Sequence, residues 1–193
     1  MVHSSSYLTS TFKRVLDLVI SLVALPIVVP AIILGMTLLV FPLGTRIFFV
    51  QTRVGRNQKE FSIYKLRTLK LGTHSDMAGM APDGTDFVLF GHWLRRWRID
   101  ELPQILNVLK GEMSWIGPRP ERPHLSAQTM EHFPNFMDRC IAKPGVTGWA
   151  QIHLPNATPK ENGEKLKYDL EYVERASIAM DMGILLKTIR AVI

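Results

Sequence analysis

From Leu18 to Thr45 the chain carries no ionisable side chain, a run of 28 residues. A helix crossing the hydrocarbon of a bilayer needs roughly 20 apolar residues, so this segment is long enough to enter a membrane. A secretory signal has a shorter apolar stretch of about 7–15 residues ahead of a cleavage site, and no clear cleavage site follows this run. Pro26 and Pro30 lie inside it, and an internal proline removes a helical hydrogen bond and clashes with the preceding turn. Lys13 and Arg14 flank one end; Arg46, Arg53, Arg56 and Lys59 flank the other. Positive charge marks the cytoplasmic end of a membrane segment, and here both ends carry it. A helix broken at Pro26 and Pro30, entering and returning on one side, satisfies both ends. A kinked straight span, the alternative, satisfies only one. The expected organisation is a disordered polar terminus (1–11), a re-entrant membrane helix (12–45) and a single domain (46–193).

The remaining sequence predicts a compact, helix-rich α+β domain with a small β-hairpin. Phe48–Val50 and Phe61–Tyr64 are β-prone runs on either side of a Gly55-Arg56-Asn57 turn. Residues 72–86 are small and polar, the expected gate over a site. Leu102, Ile105, Leu106 and Leu109 fall at i, i+3, i+4 and i+7, which predicts a helix with Asp100 as N-cap and Gly111 at its C-terminal end. A short helix is expected from about Leu125 to His132. Residues 143–149 read as turn-rich, and Leu166, Leu170 and Val173 place one apolar stripe on a helical tail. That tail ends in GILLKTIRAVI, a basic amphipathic stretch suited to a membrane surface or to core packing.

Lys and Arg number 23 against 17 Asp and Glu, a formal charge of +6 that suits anionic partners. Cys140 is the lone cysteine, which excludes a disulfide framework and a cysteine metal cluster. The six histidines are scattered, and no HExxH, Walker or GxGxxG pattern occurs. His124 and His132 read as surface residues. Asp76, Asp83 and Asp86 read as solvated loop carboxylates. At least two of Trp93, Trp97, Trp115 and Trp149 are expected in the core.

The chemistry concentrates in RIDELPQILNVLKGEMSWIGPRPE. Asp100 and Glu101 are adjacent, with Arg95, Arg96 and Arg98 before them and Arg119 held between Pro118 and Pro120 after them. Alone, the dyad reads as ordinary helix-start chemistry. Lys65 and Arg67 alternate with Tyr64 and Leu66, so a strand would aim both cations to one face. Arginine suits bidentate phosphate recognition. A carboxylate pair ringed by cations beside a membrane element suits a diphosphate substrate with a divalent metal, since Mg²⁺ takes one or two carboxylates plus phosphate oxygens. A carboxylate can also attack phosphorus and form a covalent intermediate.

Together Lys13-Arg14…Asp17, FSIYKLRTL, LRRWRIDELPQILNVLKGEMSWIGPRPERP, KPGVTGWAQI and the tail resemble the bacterial sugar transferase family of monotopic phosphoglycosyl transferases. The resemblance runs from about residue 12 to the end. It implies transfer of a sugar 1-phosphate from a UDP-sugar to polyprenyl (undecaprenyl) phosphate with release of UMP. It implies that Asp100 is the nucleophile and that Glu101 assists with Mg²⁺ or protons. It places Arg119, Lys65 and Arg95 on substrate phosphate, with Arg67 joining them by strand alternation. It further implies a catalytic domain on the cytoplasmic face of the bacterial inner membrane, in the short form of the family, with a role in exopolysaccharide or glycoconjugate assembly. Where well-known members carry a Ser-Pro helix break, this chain reads Val29-Pro30. A hexose donor is favoured. No nucleic acid partner is expected, and the oligomeric state stays open, a homodimer included. The rival readings are a basic membrane adaptor without enzymatic activity and a glycosyl transferase that releases UDP.

Overall fold

The computed structural model describes residues 3–72, 86–155 and 161–192. The expected gate over 72–86, with Asp76 and Asp83, lies outside the described residues except for its two end positions.

The first long element is helix α1 (Thr11–Leu43). Ser10 caps it, its hydroxyl accepting from Lys13 N at 3.1 Å. Pro26 and Pro30, where a break was expected, lie inside one continuous stretch of helix. In an apolar setting nothing but the helix satisfies the neighbouring peptide groups, so a proline costs one hydrogen bond without ending the helix. The middle of α1 is bare, with Val23 73% and Ile27 76% exposed.

Both ends of α1 pack on the domain. At its start, Lys13 Nζ lies 2.6 Å from Asp181, Asp17 Oδ1 accepts from Ser114 Oγ at 2.8 Å, and Ser21 Oγ accepts from Trp115 Nε1 at 2.9 Å. Arg14 donates to the carbonyls of Val108 and Leu109. Towards its end, Leu39 is fully buried with Ile47, Leu66, Val88 and Leu94. Gly35 permits that approach: a Cβ there would stand 2.6 Å from Leu66 Cδ1.

The hairpin forms as expected. Strand β1 (Phe48–Val54) pairs antiparallel with β2 (Glu60–Leu66), placing Phe49 opposite Lys65. Helix α2 (Gly91–Arg96) follows, then a turn of 3-10 helix (Ile99–Gln104) and α3 (Ile105–Lys110). Asp100 is therefore not an N-cap but a residue of the 3-10 turn, which is capped by Arg98 in the left-handed conformation (φ 53°). Pro103 disfavours α geometry at Leu102, and the tighter turn results. Gly111 ends α3 at φ 85°, as expected.

Strand β3 (Ser114–Ile116) leads to helix α4 (Pro123–His132), on which His124 and His132 are exposed. The stretch read as turn-rich contains β4 (Gly145–Thr147), parallel to β3. Only two residue pairs define this register, too short a pattern to show periodicity. Its backbones pass so closely that a Cβ on Gly117 would lie 2.2 Å from Lys143 O, and one on Gly145 would lie 2.2 Å from Gly117 N. Helices α5 (Trp149–His153), α6 (Asn162–Arg175) and α7 (Ile178–Val192) complete the chain.

The largest core cluster gathers Ile116, Tyr172, Val173 and Ile184, with Trp115 and Trp149 packed against it. Leu8 joins this cluster, so the described part of the 1–11 segment, residues 3–11, is packed where disorder was expected. Ser6–Thr9 form a 3-10 turn, Ser5 N donates to Val173 O at 2.9 Å, and Tyr7 OH donates to Asp181 at 2.8 Å. With Ser5 Oγ also donating to Ala176 O at 2.7 Å, one buried leucine and three hydrogen bonds hold so short a polar segment to the domain, and its composition hides them.

Candidate active site

Three separate segments meet at Glu101. Lys65 arrives on β2, Glu101 in the 3-10 turn, and Arg119 from the segment after β3. Lys65 Nζ donates to Glu101 Oε1 at 2.6 Å and Arg119 Nη2 donates to the same oxygen at 2.7 Å. The other oxygen is held more loosely, 3.4 Å from Arg119 Nη1 and 3.9 Å from Arg98 Nη1. Asn107, fully buried on α3, sets this alignment. Its amide donates to Ser62 O at 2.8 Å and to Glu112 at 2.7 Å, fastening α3 across β2.

Asp100 is 5% exposed, and its Oδ1 is buried without a hydrogen-bond partner among the described residues. Burial, reinforced by the Glu101 charge, pushes its carboxyl up to about 6, against the pull of Lys65, Arg95 and Arg119. Glu101 goes the other way. Burial alone would raise it, but Arg119 and Lys65 outweigh that effect and hold it well below the ordinary carboxylate range. Burial lowers Lys65, partly offset by Glu101, while the Glu101 charge raises Arg119. The dyad thus contains one satisfied carboxylate and one that is dehydrated and unpaired. The second is the better nucleophile or ligand, because among the described residues no donor is bonded to its Oδ1.

Of the cations expected here, Lys65 and Arg119 converge directly, and the Arg95 charge reaches Asp100 while its guanidinium stands 5.4 Å from the Phe87 ring. Arg67 is not brought in. It lies one residue past the end of β2 and donates to the carbonyls of Arg46 (3.0 Å) and Phe48 (3.2 Å).

Arg119 is positioned by residues with no expected place at the site. Arg53 Nη1 donates to Pro120 O at 2.9 Å, and burial lowers its guanidinium to about 10. Arg139, 3% exposed, donates to Arg119 O and pairs with buried Asp169 at 3.0 Å. Glu121 takes Lys165 at 2.5 Å. The prolines limit this backbone, and two arginines hold its carbonyls in place. Arg53 and Arg139 stand far away in the chain from GPRPE, so no local pattern announces them.

No group of three or more His, Cys, Asp or Glu residues able to hold a metal is gathered among the described residues. A magnesium–phosphate complex needs only one or two carboxylates, and the orphaned Asp100 oxygen fits one. Glu101 fits as a second ligand through its loosely held Oε2.

The chain is similar to several known proteins. The chain is 37% identical over 94% of its length to a UDP-N-acetylgalactosamine-undecaprenyl-phosphate N-acetylgalactosaminephosphotransferase of Aeromonas hydrophila, and covers 43% of that protein. It is 35% identical over 92% of its length to an undecaprenyl-phosphate glucose phosphotransferase of Komagataeibacter xylinus, covering 35% of it. An exopolysaccharide production protein of Rhizobium leguminosarum is 35% identical, with 92% of each chain covered. The chain thus spans less than half of the first two relatives and nearly all of the third. Residues 8–193, which hold every element of the Asp100 centre, match the family as a whole, and the chain belongs to the bacterial sugar transferase family.

Proposed function

We propose that the chain transfers a sugar 1-phosphate from a UDP-sugar to polyprenyl phosphate, in two displacements at Asp100. In the first, an Asp100 carboxylate oxygen bonds to the β-phosphorus and the bond to the α–β bridging oxygen breaks. UMP leaves with that oxygen, and the sugar phosphate stays on Asp100 as an acyl phosphate. In the second, an oxygen of polyprenyl phosphate bonds to the same phosphorus, and the Asp100 carboxylate is released. Arg119, Lys65 and Arg95 neutralise charge on the phosphoryl oxygens. Glu101 keeps Lys65 and Arg119 aimed at that position. Mg²⁺, held by Asp100 with Glu101 as second ligand, would supply further charge neutralisation.

The observation that carries this reading is the unpartnered, buried Asp100 oxygen amid three cations. The names of the relatives favour a hexose donor, glucose or N-acetylgalactosamine, and the Rhizobium relative favours exopolysaccharide assembly. Because both ends of α1 pack on one domain, we read the helix as re-entrant, with the domain at the cytoplasmic face of the inner membrane.

The test is nucleotide release by detergent-solubilised protein given polyprenyl phosphate, Mg²⁺ and a panel of UDP-sugars. The expected product is UMP with one donor. UDP as product would replace the covalent mechanism with ordinary glycosyl transfer. Full activity of Asp100→Asn would remove the nucleophile assignment.

A further inference from the structure

A second cationic cavity lies apart from the Asp100 centre and shares no lining residue with it. Its volume is about 250 Å³, between the start of α1, the β1–β2 turn and the approach to β4. Lys13, Arg14, Arg56 and Lys143 line it, with Asp17 as the acidic residue. Most of these charges can be assigned a partner. Lys13 is paired with Asp181 at 2.6 Å, and Asp17 accepts from Ser114 and the Trp115 backbone. Arg14 caps the carbonyl end of α3.

Two cations remain. Among the described residues neither Arg56 nor Lys143 has a carboxylate in salt-bridge range, and Arg56 Nε is buried with no hydrogen-bond partner. The attraction of the α3 C-terminus accounts for Arg14 but not for these two. A Cβ at Gly111 would stand 3.6 Å from Arg14 Nη2 and 3.7 Å from Lys143 Nζ, so two of the cations lie side by side. Burial lowers Lys143 from its ordinary value, and the Arg14, Arg56 and Lys13 charges add to this while Asp17 opposes it.

The cavity is smaller than a pocket for a drug-sized molecule, which suits a compact anion. Its position limits the source. Thr11 and Arg14 line it from the first turns of α1, where Phe12 is 54% and Val15 49% exposed. The cavity therefore sits at the level where the apolar helix emerges from the domain.

We propose that this cavity binds a phosphate group, held by Arg56 and Lys143, at the base of the membrane helix. The group is either the headgroup of an anionic lipid or a soluble phosphate. This inference does not rest on the reading of the Asp100 centre.

The test uses the full chain in phosphatidylcholine nanodiscs, with and without phosphatidylglycerol, and with inorganic phosphate titrated into the discs lacking phosphatidylglycerol. Tm and Trp115 fluorescence are followed. A stabilisation by phosphatidylglycerol names the lipid, and a saturable response to inorganic phosphate names the soluble ion. Either response should weaken about tenfold or more for each of Arg56→Gln and Lys143→Gln, survive in Lys143→Arg, and persist in Asp100→Asn. Loss of the response in Asp100→Asn would place the anion at the catalytic centre and overturn the proposal. So would an unchanged response in the Arg56→Gln/Lys143→Gln double variant, or no response in the parent protein. Relief of like-charge crowding predicts that Lys143→Gln, without phosphate or phosphatidylglycerol, melts no lower than the parent. This keeps loss of binding distinct from loss of fold.

Discussion

Asp100 and Glu101 are neighbours in the chain with opposite electrostatic surroundings. Glu101 Oε1 receives Lys65 at 2.6 Å and Arg119 at 2.7 Å, while Asp100 Oδ1 is buried with no partner among the described residues. One carboxylate organises the cations and the other is left available to react.

The Asp100 carboxyl has its folded pKa raised from 3.8 to about 6. Its unfavourable contribution is absent below the unfolded value, grows as pH rises between those values, and is fully present above about 6. Asp100→Asn should therefore abolish sugar-phosphate transfer while making the protein more stable at pH 7, by on the order of 2–3 kcal/mol. Thermal melts of both proteins at pH 4 and pH 7 check this. An equal Tm difference at the two pH values would contradict it. Mg²⁺ should raise the Tm of the parent protein at pH 7 and leave that of Asp100→Asn unmoved.

Glu101→Gln should show the opposite sign. Its folded pKa is depressed, so its stabilisation is present above the unfolded value of 4.5 and is lost as pH falls towards the folded one. Removing the charge leaves Lys65 and Arg119 crowded together. Allowing for the partial exposure of Arg119, the expected loss at pH 7 is about 2–4 kcal/mol. Urea unfolding at pH 7 and pH 4 measures it, and the loss should shrink at the lower pH.

Arg139 and Asp169 form a buried pair at 3.0 Å, and Arg139 also holds the Arg119 carbonyl. Arg139→Met should cost about 3–5 kcal/mol, because it strands Asp169. Adding Asp169→Leu should restore most of the stability without the activity, since the Arg119 carbonyl stays unheld. Recovery of kcat in the double variant would show that Arg139 acts through stability alone.

The return of both ends of α1 to one domain predicts its topology. In a Cys140→Ala background, cysteines placed at Ser10 and at Thr45 should both resist an impermeant thiol reagent in intact cells. Both should react in inverted vesicles. Labelling of one end from outside would mean that α1 crosses the membrane.

Much of the arrangement was legible in one dimension. A charge-free run of 28 residues, a hairpin read from two β-prone runs, the dyad and the proline-flanked arginine are all local patterns. The parallel pairing of β3 with β4 was not, because three-residue strands carry no usable periodicity. Strand alternation correctly aimed Lys65 but was extended one residue too far. Arg67 lies beyond the end of β2 and is held by the Arg46 and Phe48 carbonyls.

The sequence by itself determined that an apolar segment precedes a helix-rich domain and that a carboxylate dyad lies among cations. Only the tertiary structure decided which carboxylate is neutralised. Chain proximity puts Asp100 one residue nearer than Glu101 to both Arg95 and Arg98. The buried Asn107 and the carbonyl-bound Arg53 and Arg139 bring Lys65 and Arg119 onto Glu101 instead. Coulomb attraction falls with separation in space and strengthens where water is excluded. Adjacent residues therefore acquire opposite roles when packing bonds the cations directly to one and leaves the other buried near the same charges without a hydrogen bond to its Oδ1.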